Sequence, residues 1–87
     1  MDMLIIGVIN MKKNYDAELK KLGLNIAYYR KLKGLSQLEL AEMVNISRTH
    51  ISNVEGPNSP TSLSLDAIFA IADALNVPVA KLFDFTR

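Results

Sequence analysis

The chain has 87 residues, 49% of them hydrophobic and 22% charged, and its formal net charge is +1. A chain of this length builds a single hydrophobic core, and this balance of hydrophobic and charged residues excludes an intrinsically disordered protein. The sequence has no cysteine and only one histidine, His50. Disulfides, thiolate zinc sites and cysteine nucleophiles are therefore excluded, and no metal site or cofactor is expected.

Charge is distributed unevenly along the chain. Residues 12–50 hold eight Lys or Arg against four acidic residues, whereas residues 51–87 hold two against four. This asymmetry is compatible with one basic face that meets a polyanion, and also with a mixed surface that meets only solvent.

The N-terminal extension, residues 1–14, contains an apolar stretch at residues 3–9. This stretch is too short to cross a bilayer and lacks the flanking features of a secretory signal. Its Ile and Val content is typical of a short strand. Three interpretations stay open. The extension pairs as a strand with its own copy in a dimer, it is disordered, or the natural chain starts at Met11 and residues 1–10 are an upstream addition.

Hydrophobic periodicity predicts that residues 15–87 form one helical domain. Over residues 15–33, apolar residues recur at steps of three and four, which predicts a first helix with one apolar stripe: Leu19, Leu22, Ile26, Tyr29 and Leu32. Gly34 follows as the candidate residue that ends this helix.

Serine caps predict the second and third helices. Ser36 with Glu39 is a capping-box pattern and predicts a helix over about 37–44, after which Asn45 suits a left-handed turn. Ser47 predicts a third helix over about 48–55, which Gly56 and the following Pro end.

Two more helices complete the predicted fold. Ser64 caps a fourth helix, which Asn76 ends, and Pro78 opens a short fifth helix through Phe83. The fourth helix has an apolar set that consists of Leu65, Ile68, Phe69, Ile71, Ala72 and Leu75. The sequence thus predicts an all-α domain of five short helices.

The second and third helices carry the pattern that points to a function. Two short helices joined by so small a turn cross steeply, as in a helix-turn-helix. In the third helix Ile51 and Val54 point inward, which leaves a polar outward face: Arg48, Thr49, Ser52 and Asn53. Arginine pairs with guanine, asparagine pairs with adenine, and the threonine methyl contacts the thymine methyl, so this face suits the reading of DNA bases. The alternative is a polar face that meets only water.

Two stretches then resemble the Cro/repressor (XRE) family of helix-turn-helix transcription regulators: residues 33–42, KGLSQLELAE, and residues 46–55, ISRTHISNVE. Residues 64–68, 72–77 and 82–83 are similar to the fourth and fifth helices of that family. The resemblance covers about residues 20–84 and implies a five-helix, lambda-repressor-like DNA-binding domain.

The resemblance also implies roles for individual residues. The four residues of the outward face match base-reading positions. Gln37 matches a glutamine that binds a DNA phosphate and braces the recognition helix, and Ser36 and Ser47 match capping positions that also meet phosphate. Arg30 and Glu55 match a partly buried ion pair between the first and third helices.

Some positions depart from the family pattern or have two interpretations. Asn45 replaces the usual turn glycine, Ala27 replaces a frequent arginine, and residues 56–62 carry no Lys or Arg. We therefore expect few phosphate contacts and a shallow salt dependence. His50 either donates to a phosphate or is a packing residue beside Arg30 or Gln37.

We expect a sequence-specific, double-stranded-DNA-binding transcription regulator of bacterial or phage type, acting in the cytoplasm as a homodimer. The alternative is a protein-interaction module of the same fold, with an antitoxin or repressor-partner role. No enzyme or membrane protein is expected, since the sequence has no nucleophile–base pair and no phosphate-binding Gly loop. The dimer surface is expected at Val79, Leu82, Phe83 and Phe85, and a second surface at Leu4, Ile5, Ile6, Val8 and Ile9.

Overall fold

A computed structural model describes residues 15–56 and 61–86, and these two stretches contain five helices. They are α1 (Asp16–Leu32), α2 (Gln37–Val44), α3 (Arg48–Glu55), α4 (Leu65–Leu75) and α5 (Val79–Leu82). The described part of the chain contains no strand, which confirms the all-α fold. The strand considered for the N-terminal extension lies outside the described residues.

Serine side chains begin α2, α3 and α4. Oγ of Ser36, Ser47 and Ser64 each accepts a hydrogen bond from the backbone N–H three residues later, at 2.9, 3.0 and 3.1 Å. Glu39 completes the capping box of α2, because its Oε1 accepts from the N–H of Ser36 at 2.8 Å. These bonds satisfy N–H groups that a helix leaves unpaired at its start, which is why the sequence located the three starts well.

Residues with a left-handed backbone terminate three of the helices. Gly34 follows α1 with φ +73°, and Asn45 and Asn76 follow α2 and α4 with φ 56°. After Asn45 the chain folds back at once, and the N–H of Ile46 donates to the carbonyl of Ala41 at 3.0 Å. Asparagine adopts this conformation more readily than most residues, so α2 and α3 form the tight turn without the usual glycine.

Within residues 15–56 and 61–86, the core is a single cluster of eleven buried apolar residues from all five helices: Leu22, Ile26, Leu40, Ala41, Ile51, Val54, Ile68, Ile71, Ala72, Leu75 and Leu82. α3 packs against both α1 and α2, and α5 packs against α1 and α4. α3 is therefore held from two sides by the rest of the domain. None of the described helices has the length and apolar character needed to cross a membrane.

Some residues that the sequence predicts on the buried faces of α1 and α4 are exposed in the structure. Leu32 was expected in the α1 stripe, but it is 66% exposed because the buried side chain in the last turn of α1 is Arg30. Leu65 and Phe69 are exposed as well, at 67% and 53%, because α4 turns a narrower face inward than its composition indicates.

One predicted dimer residue also requires correction. Leu82 is fully buried in the core of its own chain, so it has no exposed area to offer a partner. Phe83 is 45% exposed, whereas Val79 and Phe85 are half-buried and pack against the core. The exposed apolar area at this end of the domain is thus smaller than the sequence predicted.

Candidate nucleic-acid interface

The outward face of α3 carries the four residues that the sequence predicts to read DNA bases. Arg48, Thr49 and Asn53 are exposed and Ser52 is half-buried. Ile51 on the opposite side is fully buried, which fixes the rotation of the helix. The four predicted base-reading residues therefore share one side of α3, directed away from the core.

Ser36 and Ser47 lie exposed at the starts of α2 and α3. Each Oγ accepts the capping hydrogen bond. The O–H of Ser36 also hydrogen-bonds the carboxylate of Glu39, whereas the O–H of Ser47 can donate to a ligand. A helix N-terminus also carries partial positive charge and suits an anion. Ser47 thus combines a hydroxyl donor with the favourable dipole of a helix N-terminus, and Ser36 has the dipole.

Arg30 of α1 and Glu55 of α3 form a bidentate ion pair. The Nε of Arg30 donates to Oε2 of Glu55 at 2.7 Å, and Nη2 donates to Oε1 at 2.9 Å. Both side chains are at least nine-tenths buried. Hydrogen bonding to Glu55 is the main cause that raises the pKa of Arg30 above its ordinary value. The third nitrogen of the guanidinium, Nη1, donates to the carbonyl of Leu35 at 2.7 Å, so the pair also holds the turn that leads into α2.

Gln37 joins this pair. Its Nε2 donates to Oε1 of Glu55 at 3.0 Å, which links the first residue of α2 to the last residue of α3. The sequence-based expectation of an ion pair between α1 and α3 thus becomes a network of three side chains. It spans the helix-turn-helix and fixes the crossing of α2 and α3.

His50 is half-buried and helps to line a shallow depression beside the start of α4, together with Leu63, Ser64 and Ala67. Ser47 and Ser64, the residues that cap α3 and α4, line the same depression.

Sequence analysis missed two residues that hold α1 in place. Gly23 is buried where α1 meets α3, and a Cβ there would clash with the carbonyl oxygen of Val54. Asn25 is buried, and its Nδ2 donates to the carbonyls of Leu82 at 2.9 Å and Asp84 at 3.0 Å. A glycine and an asparagine inside a helix both disfavour it, and that conflict was the signal in the sequence.

A family model described as "Helix-turn-helix" matches residues 26–82, which is more than half of the chain. The chain belongs to this helix-turn-helix family. The match begins within α1 and ends with α5, so it contains both helices of the motif. It confirms the resemblance to the Cro/repressor regulators and the prediction of a transcription regulator rather than an enzyme.

Relatives of this helix-turn-helix protein are regulators by name. It is 38% identical to "Control protein C.SmaI" of Serratia marcescens over 58 residues, which are 67% of each chain. The crystal structure of the restriction-modification controller protein C.AhdI from Aeromonas hydrophila is similar, with a TM-score of 0.70 and 34% identity. That match covers 77% of this chain and 98% of C.AhdI. A hypothetical transcription factor from Neisseria, NHTF, matches with a TM-score of 0.68 and 33% identity over 76% of this chain and 74% of the other.

Proposed function

We propose that this helix-turn-helix protein binds double-stranded DNA as a homodimer, with α3 in the major groove, and thereby controls a restriction-modification locus. The observation that carries the proposal is the outward face of α3, where Arg48, Thr49 and Asn53 are exposed while the opposite side is buried. An α-helix fits the major groove, and these side chains have the donors, acceptors and methyl group that base edges there require. The names of C.SmaI and C.AhdI support the controller role.

Phosphate contacts then fix the register of the protein on DNA. We assign them to Ser36, Gln37, Ser47 and His50, which lie at or near the starts of α2 and α3. Contacts to phosphate position a protein but carry no direct sequence information. In this proposal the starts of α2 and α3 position the protein on the phosphates, and the outward face of α3 reads the bases.

A homodimer follows from the small size of the reading face. One recognition helix reads only a few base pairs, which is too little to select a site in a genome. Proteins of this type place two recognition helices about 34 Å apart, one turn of DNA. Phe83, Phe85 and Val79 supply the interface in this proposal. The rings of Phe83 and Phe85 lie 6.4 Å apart, and Phe85 also lines an open cleft with Leu24 and Tyr28 of α1.

The proposal is tested by electrophoretic mobility shift with genomic fragments that flank restriction-modification genes, together with unrelated fragments of equal length. Binding that favours some of the flanking fragments supports it. Equal weak binding to every fragment, combined with tight binding of a protein partner, would favour the alternative role as a protein-interaction module. Because bacterial DNA lies in the cytoplasm, the proposed function implies a cytoplasmic location.

A further inference from the structure

The carboxylate of Glu55 occupies a position that the ion pair alone does not explain. It belongs to the last residue of α3 and accepts hydrogen bonds from both Arg30 and Gln37. Gln37 is the residue assigned to a DNA phosphate. We propose that Glu55 is a positioning residue for DNA binding, which orients the amide of Gln37 for the phosphate before DNA arrives.

The chemistry of the three side chains supports this assignment. A carboxylate accepts hydrogen bonds but cannot donate them, so it selects the nitrogen end of the Gln37 amide. The bond to Oε1 of Glu55 uses one N–H of Nε2 and leaves the second N–H to donate to a phosphate oxygen. Without an acceptor at Glu55, the amide would turn among several rotamers, and DNA binding would have to order it.

Arg30 makes this arrangement compatible with a nearby phosphate. An isolated carboxylate close to DNA would repel the backbone, but the guanidinium pairs with both oxygens of Glu55. The side chains of Arg30 and Glu55 are only 9% and 5% exposed, so water screens their mutual attraction weakly. The ion pair therefore has no net charge and gives the Gln37 amide a fixed hydrogen-bond acceptor.

The inference rests on the proposed function, because it requires that Gln37 contact phosphate. It predicts that loss of Glu55 weakens DNA binding through Gln37 and not only through the stability of the fold. Ordering a side chain such as glutamine corresponds to about a 2- to 10-fold change in affinity. The loss should be equal for specific and scrambled DNA, since a phosphate contact does not read sequence.

A double-mutant cycle on the full chain tests the inference. Dissociation constants are measured for the wild type, Glu55→Ala, Gln37→Met and the double variant, at a temperature where circular dichroism shows that all are folded. The probes are a 30-bp duplex selected from a random library and a scrambled duplex of the same composition. Ile71→Val is the control for stability, because it removes a buried methyl group of α4 and leaves Arg30, Glu55 and Gln37 unchanged.

We expect Glu55→Ala to weaken binding to both duplexes by about 2- to 10-fold in the wild-type background. In the Gln37→Met background, Glu55→Ala should cause no further change in the dissociation constant. Ile71→Val should reduce the melting temperature but leave DNA binding close to that of the wild type. The inference is overturned if Glu55→Ala binds like the wild type, if Glu55→Ala lowers the affinity by the same factor in the Gln37→Met background, or if Ile71→Val weakens binding as much as Glu55→Ala does. If Gln37→Met itself changes nothing, the proposed phosphate contact fails, and the inference fails with it.

Discussion

Gly23 and Val54 bring the backbones of α1 and α3 into direct contact. A Cβ at Gly23 would clash with the carbonyl oxygen of Val54, one residue before the end of α3. α3 therefore lies against α1 at a distance that only glycine permits. The position of the outward face of α3 depends on this contact.

Gly23→Ala should accordingly destabilise the protein. In a solvent-exposed helix this change would stabilise by roughly 0.5–1 kcal/mol, because alanine favours the helix. Here the added methyl group must move α1 away from α3, and overpacking of this kind costs about 1–3 kcal/mol. Urea denaturation measures the difference, and a variant more stable than the wild type would show that the two backbones are not in contact.

Asn25 should contribute stability by holding the C-terminal end of the chain. Asn25→Ala removes both hydrogen bonds to the carbonyls of Leu82 and Asp84, and we expect a loss of about 1–3 kcal/mol. The neighbouring Leu24 is 61% exposed, so Leu24→Ala is a matched control with little expected effect. Equal denaturation midpoints for the two variants would show that the hydrogen bonds of Asn25 do not stabilise the fold.

The capping box of α2 should give the protein a measurable acid sensitivity. Hydrogen bonds from Ser36, first from its backbone and then from its side chain, hold the pKa of Glu39 below its ordinary value of 4.5. A carboxyl group with a lowered pKa in the folded state stabilises the fold above its unfolded pKa, and this contribution is lost as the pH falls through the folded pKa.

Glu39→Gln should therefore narrow the difference in melting temperature between pH 7 and the acid range below 4.5. Glu42, an exposed glutamate on the same helix, provides the matched control Glu42→Gln. The role of the capping box is contradicted if the two variants have the same pH dependence of melting.

The dimer surface is tested most simply at Phe83. If the wild type is a homodimer, light scattering should give a mass of about twice 9.7 kDa. Phe83→Lys places a charge in the interface and should weaken the dimer by about 10-fold or more. Met43→Lys on α2 makes the same change at another exposed apolar residue and should leave the mass unchanged. A monomeric wild type at high micromolar concentration would contradict the proposal.

Sequence alone located the helices because their ends carry local chemistry. Ser36, Ser47 and Ser64 begin α2, α3 and α4, and Asn45 and Asn76 end two of them. Each of these signals acts over three or four residues and needs no knowledge of the rest of the fold. The outward face of α3 followed for the same reason, since the buried Ile51 and Val54 fix the rotation of a helix only eight residues long.

Contacts between helices could not be predicted in this way. Leu32 fits an apolar stripe by spacing, yet Arg30 takes the buried place because Glu55 lies opposite it across 25 positions of the chain. Leu82 was assigned to a partner surface because the sequence did not show that α1 and α4 would enclose it. Periodicity tells which residues share a face, but it does not tell how much of that face a neighbouring helix covers.

The most direct test of the account is a selection of DNA sites from a random library with the wild type, Arg48→Ala and Asn53→Ala. The account predicts that each variant loses about 1–3 kcal/mol at the wild-type site and relaxes the preference at one base position. Lys81→Ala, which removes an exposed cation from α5, should retain the wild-type preference. If Arg48→Ala and Asn53→Ala both keep the affinity and the selected sequence of the wild type, α3 does not read DNA.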